Sequence, residues 1–131
     1  FHREGVMVED LDEIDRTDYT PKPTKEEMLR AKNFPEEERA FELKTLMRCA
    51  LWSDPDSDFG VGHNPRGAGV LFGPDVAQAF LSDNSMDMVV RSHECVRDGW
   101  DQPYEDEFQG LLGTIFSASN YGGAGNMGGY P

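Results

Sequence analysis

Two short apolar runs, Met86–Val90 and Leu111–Phe116, each break off into a polar cluster. The clusters are Arg91-Ser92-His93-Glu94 and Ser117-Ala118-Ser119-Asn120-Tyr121. Runs of this length, rich in branched and aromatic residues, predict buried strands. Side chains just past the end of a buried strand are held rigidly yet reach solvent, which makes these clusters the first places to look for chemistry. Between and before the strands the pattern is helical. Gly73-Pro74-Asp75 predicts a helix start, Val76, Ala77, Phe80 and Leu81 lie along one side, and Asp83-Asn84-Ser85 ends it.

The first third reads as helical and solvated. Val6, Met7, Val8, Leu11 and Ile14 recur partly at helical spacing among acidic residues, and the prolines between Thr17 and Pro23 stop that pattern. Thr24-Lys25-Glu26-Glu27 has the form of a capping box, opening a helix that Asn33-Phe34-Pro35 interrupts. Pro35 and Glu36, Glu37 and Glu38 suit the first turn of a second helix, with Ala40, Leu43, Met47 and Ala50 on one face and Phe41 and Leu46 widening it. The Asp, Gly, Asn and Pro after Trp52 are loop chemistry. Gly122 to Gly129 predicts a closing glycine-rich loop.

Composition excludes several classes. With 131 residues the chain holds one domain at most, and Phe1 at the start and Gly128-Gly129-Tyr130-Pro131 at the end read as cuts through a longer protein. A net charge of −13 opposes nucleic acid as a partner, because that affinity rests on cationic side chains. No run has the apolar length of a membrane helix, so no membrane role is expected. Cys49 and Cys95 stand in no metal or redox spacing and fit reduced thiols, which points to a cytoplasmic or nuclear setting.

Individual residues leave alternatives open. His93 is compatible with a metal ligand, although a lone histidine is more often a hydrogen-bonded structural residue. Arg66, in the glycine-flanked loop Asn64-Pro65-Arg66-Gly67-Ala68-Gly69, suits bidentate phosphate binding or a plain surface position. Asp54, Asp56 and Asp58 invite a calcium-loop reading that fails: Phe59 stands where the sixth-position glycine belongs and Pro65 where the closing glutamate belongs. No P-loop, zinc-histidine pair or Ser-His-Asp order is present.

Taken together, Leu51-Trp52-Ser53-Asp54-Pro55, Arg66-Gly67 with Phe72-Gly73-Pro74-Asp75-Val76, Arg91-Ser92-His93-Glu94 and Thr114-Ile115-Phe116-Ser117-Ala118-Ser119-Asn120-Tyr121 resemble the second half of the phosphoprotein phosphatase catalytic domain. The resemblance covers Leu51 to Tyr130 well and Phe1 to Arg16 loosely, and is nearest the branch carrying EF-hand or TPR regulatory modules. It implies an α/β (α+β) fold, part of a metallophosphoesterase β-sandwich flanked by helices, with Thr17 to Met47 as an insertion. It implies two divalent metal ions (manganese, iron or zinc) in the intact parent, whose activated water attacks phosphoserine or phosphothreonine in protein substrates. By position, His93 matches the last metal-binding histidine, Arg66 a phosphate-gripping arginine, and Tyr121 a tyrosine beside the metal centre. Asp54 matches an aspartate near the site, with no role assigned.

The departures matter. The Gly-Asp-x-His-Gly, Gly-Asp-x-Val-Asp-Arg-Gly, Gly-Asn-His-Glu and His-Gly-Gly motifs are absent, and His2 falls after the last of these and is not its ligand. Gly122 stands where the family often has cysteine. The expectation is therefore a serine/threonine phosphatase parent, of which this piece alone is inactive and marginally folded because its strand edges are exposed. A non-catalytic phosphatase-like binding module is the alternative, and an esterase for small phosphate esters a third.

Overall fold

A helical layer leads into two small sheets that share one core. The computed structural model describes residues 5–17 and 22–130, so His2 lies outside the described residues, as do four residues of the segment read as an insertion. Helices α1 (Val8–Asp12), α2 (Lys25–Asn33) and α3 (Pro35–Trp52) come first. Thr24 caps α2 as its sequence pattern predicts. Its hydroxyl accepts from the Glu27 N–H at 3.1 Å, and the Glu27 carboxylate accepts from the Thr24 N–H at 2.7 Å. Phe34 is extended and Pro35 begins α3. Ion pairs Glu27–Lys44 and Arg30–Glu37 then zip α2 to α3 in antiparallel order.

α3 buries only part of the face predicted, Leu46 and Met47 with Cys49 beside them. Ala40 and Ala50 are exposed and Phe41 and Leu43 only half-buried. An 18-residue helix with neighbours on more than one side divides its apolar residues between them.

The segment after Trp52 is more ordered than loop chemistry suggests. It contains β1 (Asp54–Pro55), β2 (Val61–His63) and β3 (Val70–Phe72), in the order β1-β3-β2. β1 runs parallel to β3 with Asp54 opposite Leu71, and β2 antiparallel with Val61 opposite Phe72. Helix α4 (Pro74–Asp83) crosses to the second sheet of β4 (Val89–Arg91), β5 (Trp100–Asp101) and β6 (Leu112–Ile115), ordered β4-β6-β5. β4 is parallel to β6, setting Arg91 opposite Thr114. Both apolar runs are thus strands, each shorter than its run.

Phe72 of β3, Ala77 of α4, Tyr104 and Leu112 of β6 form the common core, with Val76, Val89, Phe108 and Leu111 packed around it. Each large side chain buried there is worth about 1.5–3 kcal/mol. The Tyr104 hydroxyl donates to the Phe72 carbonyl at 3.0 Å, tying the β5–β6 connection to the first sheet. Asn84, at the C-terminus of α4, reaches back to the chain start. Its carbonyl oxygen accepts from the Val8 N–H at 2.7 Å and its amide donates to the Val6 carbonyl at 3.1 Å. Among the described residues no helix is long and apolar enough to cross a membrane.

Candidate functional site

Asp54 is the centre around which the sequence-predicted residues gather. It opens β1, directly after α3 ends at Trp52, and is only 4% exposed. A carboxylate so buried needs donors on both oxygens. The Asn64 amide donates to Oδ2 at 3.0 Å and Arg66 Nε lies 3.1 Å from the same oxygen. Arg91 donates to Oδ1 at 3.0 Å, and His93 Nδ1 lies 3.2 Å from it. Burial opposes ionisation of Asp54. The Asn64 hydrogen bond and the Arg66, His93 and Arg91 contacts outweigh it, and hold the carboxyl below its ordinary value.

Each partner is delivered by a local device. The Asn64 side chain accepts from the Arg66 N–H at 2.9 Å and its carbonyl from the Gly67 N–H at 3.0 Å, a turn that aims Arg66 back at β1. Gly69 lets this loop close: at φ +64°, a Cβ there would sit 2.5 Å from the Ser53 nitrogen and the Trp52 carbonyl carbon. Arg91 ends β4 and also binds the Ser53 carbonyl at 3.1 Å and the Glu94 carboxylate. His93 follows at φ 88°, a left-handed conformation that costs a non-glycine residue about 1–3 kcal/mol and recurs at functional sites. Trp52 meets its ring edge-to-face at 5.2 Å.

Tyr121 belongs to a second group. Asn126, 6% exposed, organises it by accepting from the Tyr121 N–H at 2.8 Å and donating to the Ala118 carbonyl at 2.8 Å. The Tyr121 ring stands edge-to-face on Phe116 at 5.2 Å and is 61% exposed. Its hydrogen bond and ring contact are to these residues and not to the Asp54 group. Sequence reasoning named Asp54, Arg66 and His93, but gave Asn64 and Arg91 no part in joining them. Their signal is a long-range pairing that no local pattern carries.

The described residues do not by themselves complete a metal site. Among the described residues no group of three or more His, Cys, Asp or Glu side chains could hold an ion. The Asp54 oxygens are already divided among four donors. His93 is held at one ring nitrogen by a carboxylate, an arrangement that metal-ligating histidines commonly show.

The calcineurin-like phosphoesterase profile matches residues 4–97. Serine/threonine-protein phosphatase 5 of Solanum lycopersicum is 50% identical over 76 residues, 58% of this chain and 13% of its own length. Serine/threonine-protein phosphatase T of Schizosaccharomyces pombe is 48% identical over 84 residues, 63% of this chain and 17% of its own length. A Saccharomyces cerevisiae protein serine/threonine phosphatase, described as similar to human phosphatase PP5, superposes on 94% of this chain and 31% of its own with a TM-score of 0.64 and 31% identity. The chain therefore spans a small part of the relatives it matches, and its small sheets and helices are a portion of the metallophosphoesterase fold. The chain belongs to the calcineurin-like phosphoesterase family, whose members are metal-dependent.

Proposed function

We propose that the protein containing this chain hydrolyses phosphoserine and phosphothreonine in protein substrates, and that the chain is the C-terminal part of its catalytic domain. The observation carrying this reading is the shared carboxylate: Asp54 holds Arg66 and His93 side by side at 3.1 and 3.2 Å. A phosphate-binding cation and a metal-ligating imidazole are the two groups such a reaction needs from this part of the chain.

Arg66 touches Asp54 through Nε and its side chain is 45% exposed. Its terminal nitrogens are then available to grip two phosphate oxygens in parallel and to hold them as negative charge redistributes. Arg91, 13% exposed, is spent on Asp54, Glu94 and Ser53, and positions rather than binds. His93 contributes one ligand to a site completed by residues outside this chain. When bound, two divalent ions (manganese, iron or zinc) supply an activated water and charge neutralisation. Tyr121 shapes the rim on which the substrate lies. A TPR or calcium-sensing module in the same protein would regulate access.

The test uses the protein with the sequence encoded upstream of Phe1. Metal content and phosphate release from a phosphoserine peptide are measured together. Stoichiometric metal with turnover is expected, and the 131-residue chain alone is expected to show neither. An intact protein that binds metal yet hydrolyses no phosphoserine or phosphothreonine peptide overturns the reading.

A further inference from the structure

α2, α3 and the Glu13-Ile14-Asp15 segment that follows α1 border a groove of about 400 Å³, within the usual size range of ligand sites. Its floor is apolar, built from Ile14, Phe41, Leu43 and Met47. It uses the part of the predicted stripe of α3 that is incompletely covered, where Phe41 and Leu43 stay half-buried. Its rim is carboxylate: Glu13 and Asp15 beyond α1, Glu27 in the first turn of α2 and Glu37 in the first turn of α3, with Lys44 between.

Ion pairs border the groove. Arg39 pairs with Asp10, Glu13 and Glu42, Lys44 with Glu27, and Arg30 with Glu37. Asp15 accepts from the Thr17 N–H and hydroxyl, at 2.9 and 2.6 Å. Among the described residues, the groove's own lining sets Lys44 against Glu13, Asp15, Glu27 and Glu37. Pairs as exposed as these contribute little individually, so an incoming ammonium or guanidinium can share their carboxylates. An acidic segment, a nucleic acid or an anionic membrane would meet like charge.

We infer that this groove docks a basic amphipathic segment of a partner protein. Apolar side chains at helical spacing lie on Phe41, Leu43 and Met47, while lysine or arginine side chains reach Asp15, Glu13 and Glu37. The docking site is separate from the Asp54 group and does not rest on the phosphatase reading.

The test is a titration of the isotope-labelled intact protein containing this chain with a synthetic helical peptide carrying leucines at i, i+4 and i+7 and lysines on its polar face. Saturable shifts are expected at the amides of Phe41, Leu43 and Lys44. A scrambled peptide of identical composition and one with glutamate for lysine should bind at least about tenfold more weakly. Asp15→Asn and Glu37→Gln remove a charge with little change of shape, so circular dichroism should be unchanged while each weakens the peptide about tenfold. Shifts that map elsewhere, equal binding of the scrambled peptide, or unaltered affinity in both variants overturn the inference. So does a dimer of this chain that closes the groove without peptide.

Discussion

Arg66 places its Nε 3.1 Å from Asp54 Oδ2, joining a side chain that is 45% exposed to one that is 6% exposed. The two ends of this pair should respond very differently to substitution. Asp54→Asn keeps the shape and removes a buried charge that Arg91, itself 13% exposed, also uses. That should cost about 2–3 kcal/mol in urea denaturation of the chain. Arg66→Ala removes only the exposed partner and should cost less than about 1 kcal/mol. In the intact protein, however, it should raise KM for a phosphopeptide while leaving metal content unchanged. Equal stability losses for the two variants would show that Asp54 is not the centre of the group.

The same carboxyl sets an acid limit on stability. Its folded pKa lies below the 3.8 of a free aspartate, so its contribution is present in full above that value. It is lost as pH falls through 3.8 toward the lower folded value. The stability difference between the chain and its Asp54→Asn variant should be constant near neutral pH. It should narrow below about pH 4, as read from urea midpoints across a pH series.

Tyr104 imposes the opposite, alkaline limit. Burial, reinforced by Asp75, raises its phenol well above the ordinary 10.0, so the hydroxyl stays protonated in the core after a free tyrosine would have ionised. A raised acid favours the folded state below the unfolded value, and that advantage is lost as pH rises from 10.0 through the folded pKa. Tyr104→Phe deletes the bond to the Phe72 carbonyl and should cost about 1 kcal/mol at neutral pH. It should also flatten the alkaline unfolding limb, which thermal melts above about pH 10 would record.

Asn84 holds the first helix from 76 residues away, through the Val8 N–H. α1 has only five residues and cannot persist on propensity alone. Asn84→Ala should therefore cost about 1–2 kcal/mol. Hydrogen exchange should accelerate at α1 amides well before those of β6.

How much could be read in advance follows from how local each feature is. The capping box at Thr24, Pro35 at the head of α3 and Pro74 at the head of α4 are written in adjacent residues, and the helices begin there. The strands around Asp54 are not. β1 is Asp54-Pro55 and β2 is Val61-Gly62-His63, pieces too short and polar to show a period of two, and they become strands only because Val70-Leu71-Phe72 lies between them. Asp54, Arg66 and His93 were nameable from motifs, whereas their meeting depends on separations of up to 39 residues. Arg91, read only as part of a polar cluster, is the strand residue that β4–β6 pairing aims at Asp54.

The loop carrying Asn64 and Arg66 gives the sharpest contrast between two glycines. Gly67 has φ +71° with nothing within 4 Å of an added Cβ, while Gly69 has φ +64° with Ser53 and Trp52 backbone atoms at 2.5 Å. Alanine at Gly67 bears only the left-handed backbone strain, about 1–2 kcal/mol. Alanine at Gly69 bears that strain and an overlap with backbone that no rotamer can relieve, so its loss should exceed about 3 kcal/mol. Because Ser53 Oγ accepts from the Val70 N–H at 3.1 Å, the displaced loop also pulls β3 from the end of α3. Nuclear magnetic resonance of the two variants should show the Arg66 and Asn64 side-chain signals unmoved in Gly67→Ala and shifted in Gly69→Ala. Equal losses in the two would mean that the loop closes on Ser53 by some route other than the missing Cβ.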